Sequence, residues 1–190
     1  MPLKPPAVIE SNRLLIRLVE AADLPDLLAI NGDDEVTRFL PYASWQSLAD
    51  GQAWFKRMDA LNAAGNGLQF VALEKLSGRV VATCLLFRYD EQSARAELGY
   101  VLGREHWGRG LMHEALTALI TYALETYALR RLEAEVNPAN DPSNRLLQKL
   151  GFTQEGLLRQ RWFDKGSAHD TNIYGLLRDE WPRPDGSRVK

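Results

Sequence analysis

Between Ala96 and Val136 the chain reads strand, glycine loop, helix, strand, and this order constrains the fold more than any other stretch. "AELGYVLG" has the alternating apolar and aromatic residues of a strand. "REHWGRG" interrupts it. From Arg109 to Tyr127, residues Leu111, Met112, Ala115, Leu116, Leu119 and Ile120 form one apolar helical face. "RLEAEV" then returns to a strand pattern. A helix placed between strands has to cover a sheet. The glycines are the unusual part. Glycine commonly marks the far end of a helix, yet Gly108 and Gly110 stand at the start of this one, as if bare backbone were needed there.

The flanking sequence extends the pattern. "RLLIRLV" predicts a strand, and "AADLPDLLAIN" a helix with Asp23 as its cap. "DDEVTRFL" predicts a short helix, and Gln46 to Ala64 a longer one with Trp54, Phe55, Met58 and Leu61 in register. Asp33, Asp34 and Glu35 read as caps and helix surface. "LQFVALEK" and "RVVATCLLFRY" around "LSG" predict a hairpin. "DPSNRLLQKLG" predicts a helix capped by Asp141, with Pro142 in its first turn and Gly151 at its stop. "EGLLRQRWF" and "DTNIYGLLRDEW" predict a final antiparallel pair around "DKGS". The order implies an α+β (mixed α/β) layer fold.

The 190 residues suffice for one domain with a substantial core, expected over residues 9–181 with flexible termini at 1–8 and 182–190. A formal charge of −2 gives no overall pull toward nucleic acid or anionic lipid, and the short basic clusters read as solvated strand or helix ends. No run reaches the roughly 20 apolar residues of a membrane span. The first residues lack the apolar core of a signal peptide, so a reducing cytoplasm is expected. The one cysteine, Cys84, lies in "VVATCLLF" and reads as a buried small hydrophobe. The spacing of His106, His113 and His169 fits no metal motif, so no metal is expected.

The first amides of a helix lack internal partners, and the helix dipole adds partial positive charge there. Glycines at such a start allow a phosphate or pyrophosphate close approach, and Arg109 offers a cation. From "GRG" alone a tight turn is the simpler reading. No Lys-Ser/Thr follows, so it is not a Walker loop, and Glu114 and Ala115 exclude the dinucleotide fingerprint.

"ELGYVLGREHWGRGLMHEAL" followed by "VNPANDPSNRLLQKLGF" resembles the GNAT superfamily of acyl-CoA-dependent N-acetyltransferases, most closely its RimJ/RimL-type branch. "SNRLLIRLVEAADLPDLLAI" and "EGLLRQRWFDKGSAHDTNIYGLLRDEW" resemble that branch's opening and closing segments. The resemblance implies a mostly antiparallel twisted sheet of about seven strands, splayed between the fourth and fifth, with helices on both faces. It implies acetyl-CoA as co-substrate and a primary amine as acceptor, either a protein N terminus such as a ribosomal protein's or a small amine or amino acid. A homodimer through the late strands is a further expectation.

Residue by residue, the family's pyrophosphate loop falls on Glu105 to Gly110, with Gly108 and Gly110 matching and Glu105 departing from Gln or Arg. The cofactor would meet Trp107, Gly108, Arg109, Gly110, Leu111 and Met112, with Trp107 anchoring the loop by packing. Its pantetheine arm would pair with Tyr100, Val101 and Leu102 beside Asn140, the amide of Val101 or Leu102 facing the thioester oxygen. Asn140 also reads as a turn former before Pro142. Glu97 is the candidate base through a water, and reads equally well as a salt-bridge partner, for example of Arg95. The family's acid tyrosine is replaced by Leu147. Ser143 is the remaining candidate to meet the leaving sulfur, or else a first-turn hydroxyl bonded to backbone. Phe39, Tyr42, Trp45, Trp162 and Phe163 fall on segments that line the acceptor mouth in relatives. A coenzyme A-binding module without transfer, and a protein in which the loop is only a turn, are the alternatives.

Overall fold

The computed structural model describes residues 3–182, and the outer parts of the expected flexible termini lie outside them. Eight strands form one sheet in the order β1-β2-β3-β4-β5-β6-β8-β7. They are β1 (Ile9–Glu10), β2 (Leu14–Leu18), β3 (Leu68–Glu74), β4 (Val80–Asp90), β5 (Arg95–Leu102), β6 (Arg131–Val136), β7 (Thr153–Asp164) and β8 (Ser167–Leu177). The helices are α1 (Leu24–Asn31), α2 (Asp34–Thr37), α3 (Leu48–Ala64), α4 (Leu111–Glu125) and α5 (Asp141–Lys149). The short β1 is the strand beyond the seven that the sequence suggests. All pairings are antiparallel except β5 with β6, which are joined through α4.

The central strands are buried on both faces, and β3 shows how the sequence achieves this. Successive side chains point to opposite sides of a strand. Phe70 and Ala72 enter one cluster with the α4 face, while Val71 enters a second with Leu24, Leu27, Ile30 and Trp45. The six predicted apolar residues of α4 are all buried. Cys84 is fully buried on the α4 side, and its thiol is pushed up to about 12 by desolvation. Leu3 packs into the same cluster, and its amide donates to the Gly65 carbonyl at 3.0 Å, so the chain is tied down from there.

Two caps differ from expectation. Asp23 sits before α1 but caps nothing there. It is buried, and its carboxylate accepts from Arg17 Nη2 at 2.7 Å and from the Glu20 amide at 2.8 Å. A buried carboxylate is satisfied better by a guanidinium than by one amide. In α5 the cap is Asn140, whose Oδ1 accepts from the Ser143 amide at 3.3 Å, while Asp141 is the first helical residue. Asp33 caps α2 as expected, accepting from the Glu35 amide at 2.8 Å.

Candidate active site

The site begins where two strands part. β5 and β6 pair at Arg95–Arg131, Ala96–Leu132 and Glu97–Glu133, and no further, although β5 runs on to Leu102 and β6 to Val136. A cleft of about 270 Å³ fills the opening, lined by both diverging segments and by Arg88, Asn140, Ser143 and Trp162, with Phe39 to Pro41 completing the wall. Strand pleating divides its functional groups. Leu98 points to the α4 side, as does the Tyr100 ring. Glu97, one residue out of phase, points to the other face with its cross-strand partners Phe87 and Glu133. The cleft thus has hydroxyls on one side of the sheet and carboxylates on the other.

On the carboxylate side, Glu97 is 7% exposed and accepts from Arg88 Nη1 at 2.6 Å. The same nitrogen donates to Glu135 Oε1 at 3.2 Å. Glu135 also accepts from Trp162 Nε1 at 2.8 Å and Arg161 Nη2 at 3.3 Å. The suggested partner Arg95 donates instead to Glu133, at 2.8 Å. Arg88 reaches Glu97 because the ladder slips between Phe87 and Asp90, with Arg88 at φ +50°. Regular pleating would turn it to the face opposite Phe87; the bulge re-aims it. Burial pushes the Glu97 carboxyl above the ordinary carboxylate range, against the pull of Arg88 and with help from the charges of Glu135 and Glu133.

On the hydroxyl side, the Tyr100 hydroxyl and Ser143 Oγ lie 2.6 Å apart, and either can donate. Burial pushes the Tyr100 phenol up to about 12. Ser143 is therefore paired with a side chain the sequence singled out only for its backbone. Leu147 is fully buried in the core. The Gly103 amide donates to the Val81 carbonyl on β4 at 2.9 Å. Amides alternate sides along a strand, so that of Val101 also turns to β4. Those of Tyr100 and Leu102 face the opening, which selects Leu102 over Val101 as the amide presented there.

The glycine loop lies at the end of β5. Trp107 Nε1 donates to the Leu102 carbonyl at 2.9 Å while the ring stays 47% exposed, so it anchors the loop by a hydrogen bond more than by packing. Gly108 and Gly110 have φ of +72° and +73°, the left-handed region that favours glycine. A Cβ on Gly108 would meet nothing within 4 Å, so the backbone there borders open space. Among the described residues, no acceptor is placed against the amides of Gly108 through His113; Glu114, bonded to the Gly110 carbonyl at 3.1 Å, is the first satisfied one. Leu111 and Met112 bury their side chains in the core and leave only backbone to this rim. The Arg109 guanidinium turns away, to Glu74 at 2.6 Å and His106 Nδ1 at 3.1 Å.

Of the expected aromatic wall, Phe39 and Trp162 line the cleft and Tyr42 and Trp45 do not. Trp45 is buried against Trp54, their ring centroids 5.5 Å apart. The Tyr42 hydroxyl donates to Asn31 Oδ1 at 3.0 Å. Both serve the packing of the segment between α2 and α3. Phe163 is 76% exposed, and His169 lines the cleft. Among the described residues, no group of three or more His, Cys, Asp or Glu is placed to hold a metal ion. Arg88 and Glu135 went unnoticed in the sequence, where nothing marks a bulge or a pairing across 47 residues.

Comparison with known proteins agrees with this geometry. Residues 13–153 match the acetyltransferase (GNAT) domain. An uncharacterized N-acetyltransferase of Bacillus licheniformis, p20, is 34% identical over 171 residues, covering 90% of this chain and 96% of its own. The [ribosomal protein uS5]-alanine N-acetyltransferase of Escherichia coli is 29% identical over 189 residues, covering 93% and 94%. A solved structure of RimL, the ribosomal L7/L12 alpha-N-protein acetyltransferase, in complex with coenzyme A, shares the fold. Its TM-score is 0.81 at 21% identity, over 90% of this chain and 97% of that one. A splayed parallel pair, a left-handed glycine loop with open amides and a matching domain over most of the chain lead to one assignment: this protein belongs to the GNAT acetyltransferase family and is an N-acetyltransferase.

Proposed function

We propose that the protein moves an acetyl group from acetyl-CoA to a primary amine by direct attack within a ternary complex. The acceptor is a protein N-terminal α-amine, such as a ribosomal protein's, or a small amine or amino acid. The observation that carries this reading is the row of amides from Gly108 to His113, unpartnered among the described residues, at the end of the strand that opens the cleft. Such amides, with the α4 dipole behind them, suit a pyrophosphate. The open space beside Gly108 lets an anion approach.

Acetyl-CoA supplies the activated thioester. The chain's own groups divide the remaining work. Amides of Tyr100 and Leu102 facing the opening are fixed donors where the carbonyl oxygen becomes negative. Glu97 takes the proton that an ammonium acceptor must lose. The Tyr100–Ser143 pair offers a proton to the departing sulfur. Holding amine and thioester in line across the parted strands adds several kcal/mol in proximity alone. Leu147, where relatives use a tyrosine, favours a second reading as a coenzyme A-binding module without transfer; acetyl-CoA binding without turnover on a broad amine panel would select it. The homodimer that the resemblance implies would use the late strands, where β7, the last strand of the sheet, is exposed along nearly its whole length. No helix among the described residues is long and apolar enough to cross a membrane, and a cytoplasmic setting suits a ribosomal acceptor.

The test is release of free coenzyme A in the presence of candidate amines, with acetylated product identified by mass spectrometry. The panel includes N-terminal peptides of ribosomal proteins. Product on any primary amine supports the transfer; none across the panel, with acetyl-CoA bound, overturns it.

A further inference from the structure

Around Arg88 the protein has built a seat for a cation and filled it with its own side chain. Two carboxylates from different strands, Glu97 and Glu135, converge on a single nitrogen of the guanidinium, at 2.6 and 3.2 Å. Two aromatic faces complete the enclosure, Phe87 at 5.4 Å and Trp162 at 5.8 Å from the guanidinium carbon. Trp162 is in turn held by its bond to Glu135. Carboxylates with aromatic faces bind organic cations of many kinds. The occupant is loosely tenured: Arg88 stands on a bulge with left-handed backbone, and its side chain is 42% exposed. Asp164 and Asp170 also line the cleft, so four carboxylates there face Arg88, His169 and Arg161, which reaches Glu135 from beyond the lining.

We propose that the acceptor's ammonium group docks between Glu97 and Glu135 beneath Trp162 by displacing Arg88, so that amines free of a neighbouring carboxylate are accepted and free amino acids are rejected. This rests on the transferase reading and narrows its acceptor to peptide N termini and carboxylate-free small amines. Arg88 is a place-holder: it satisfies two desolvated carboxylates until a substrate cation replaces it, and swings into solvent through the exposed end of the cleft. A carboxylate on the carbon next to the amine would bring a fifth negative charge into the cleft, repelled by the other four. An amide at that position, as in any peptide N terminus, brings none.

The experiment compares alanyl-glycinamide, free alanine and alaninamide as ligands of the whole protein with coenzyme A present, by calorimetry, and as acceptors with acetyl-CoA. The two amides should bind at least tenfold more tightly than alanine. Glu135→Gln should weaken amide binding at least fivefold and narrow the amide-to-acid ratio, with the loss in acetylation larger in KM than in kcat. Arg88→Asn, chosen because asparagine tolerates left-handed backbone, should tighten amide binding three- to tenfold by removing the internal competitor. Equal binding of alanine and alaninamide overturns the proposal, as does weaker amide binding in Arg88→Asn, which would make Arg88 a permanent partner. Discrimination in binding without acetylation of any amine would uphold the seat and overturn only the transferase reading.

Discussion

Glu97 occupies the last position of β5 paired with β6, where that ladder ends and the opening begins. Its carboxyl is held above the ordinary carboxylate range chiefly by burial. A base acts when ionised, so acetylation should fall as pH drops through this raised value, at a higher pH than for an exposed glutamate. Glu97→Gln should remove that acidic limb and lower kcat by roughly 10²–10⁴-fold, with acetyl-CoA affinity retained by calorimetry. The hydroxyl pair predicts a smaller effect. A thiol of pKa about 8.5 leaves readily as an anion. Ser143→Ala and Tyr100→Phe should therefore each lower kcat less than tenfold in steady-state assays, since each leaves the other hydroxyl in place.

At the scale of elements, the loop before α4 depends on two left-handed glycines. Gly108→Ala would place a residue with a Cβ at φ +72°, costing about 1–2 kcal/mol in backbone strain. Its Cβ meets no protein atom, so the fold has no steric objection. An anion approaching the amides would meet that Cβ. The expected outcome is a rise of at least tenfold in KM for acetyl-CoA beside a melting temperature lowered by only a few degrees. These local features were legible in the sequence because glycine placement and a 3.6-residue apolar rhythm are short-range signals; the α4 face and the β3–β4 and β7–β8 hairpins follow from the same kind of evidence. What escaped was long-range. Arg88 rather than Arg95 meets Glu97 because a bulge inverts one side chain, and a non-glycine residue at positive φ leaves no mark in the sequence. Trp45 belongs to packing because α3 folds back over it, and Tyr42 because its hydroxyl reaches Asn31 of α1, neither of which a local pattern states. Asn140 rather than Asp141 caps α5, a choice between neighbours of nearly equal capping strength.

At the scale of the molecule, one sheet carries a core on each face and a cleft passing between them. A ligand seated across that opening joins the β1–β5 half to the β6–β8 half, where the protein itself supplies three paired positions. Binding to the folded state alone stabilises by mass action, about 2.7 kcal/mol at a hundredfold excess over Kd. For a chain of this size coenzyme A should raise the melting temperature by about 5–10 °C in a scanning fluorescence measurement. Gly108→Ala should lose most of that increment at the same ligand concentration.

The seclusion of Cys84 has a practical corollary. It is the chain's sole thiol, it sits in the interior, and it resists ionisation near neutrality. A thiol-reactive dye added to the native enzyme would report only the sulfhydryl liberated by turnover, with no background from the polypeptide. In denaturant the same dye would count one equivalent per chain, making a single reagent serve both as product assay and as gauge of intactness.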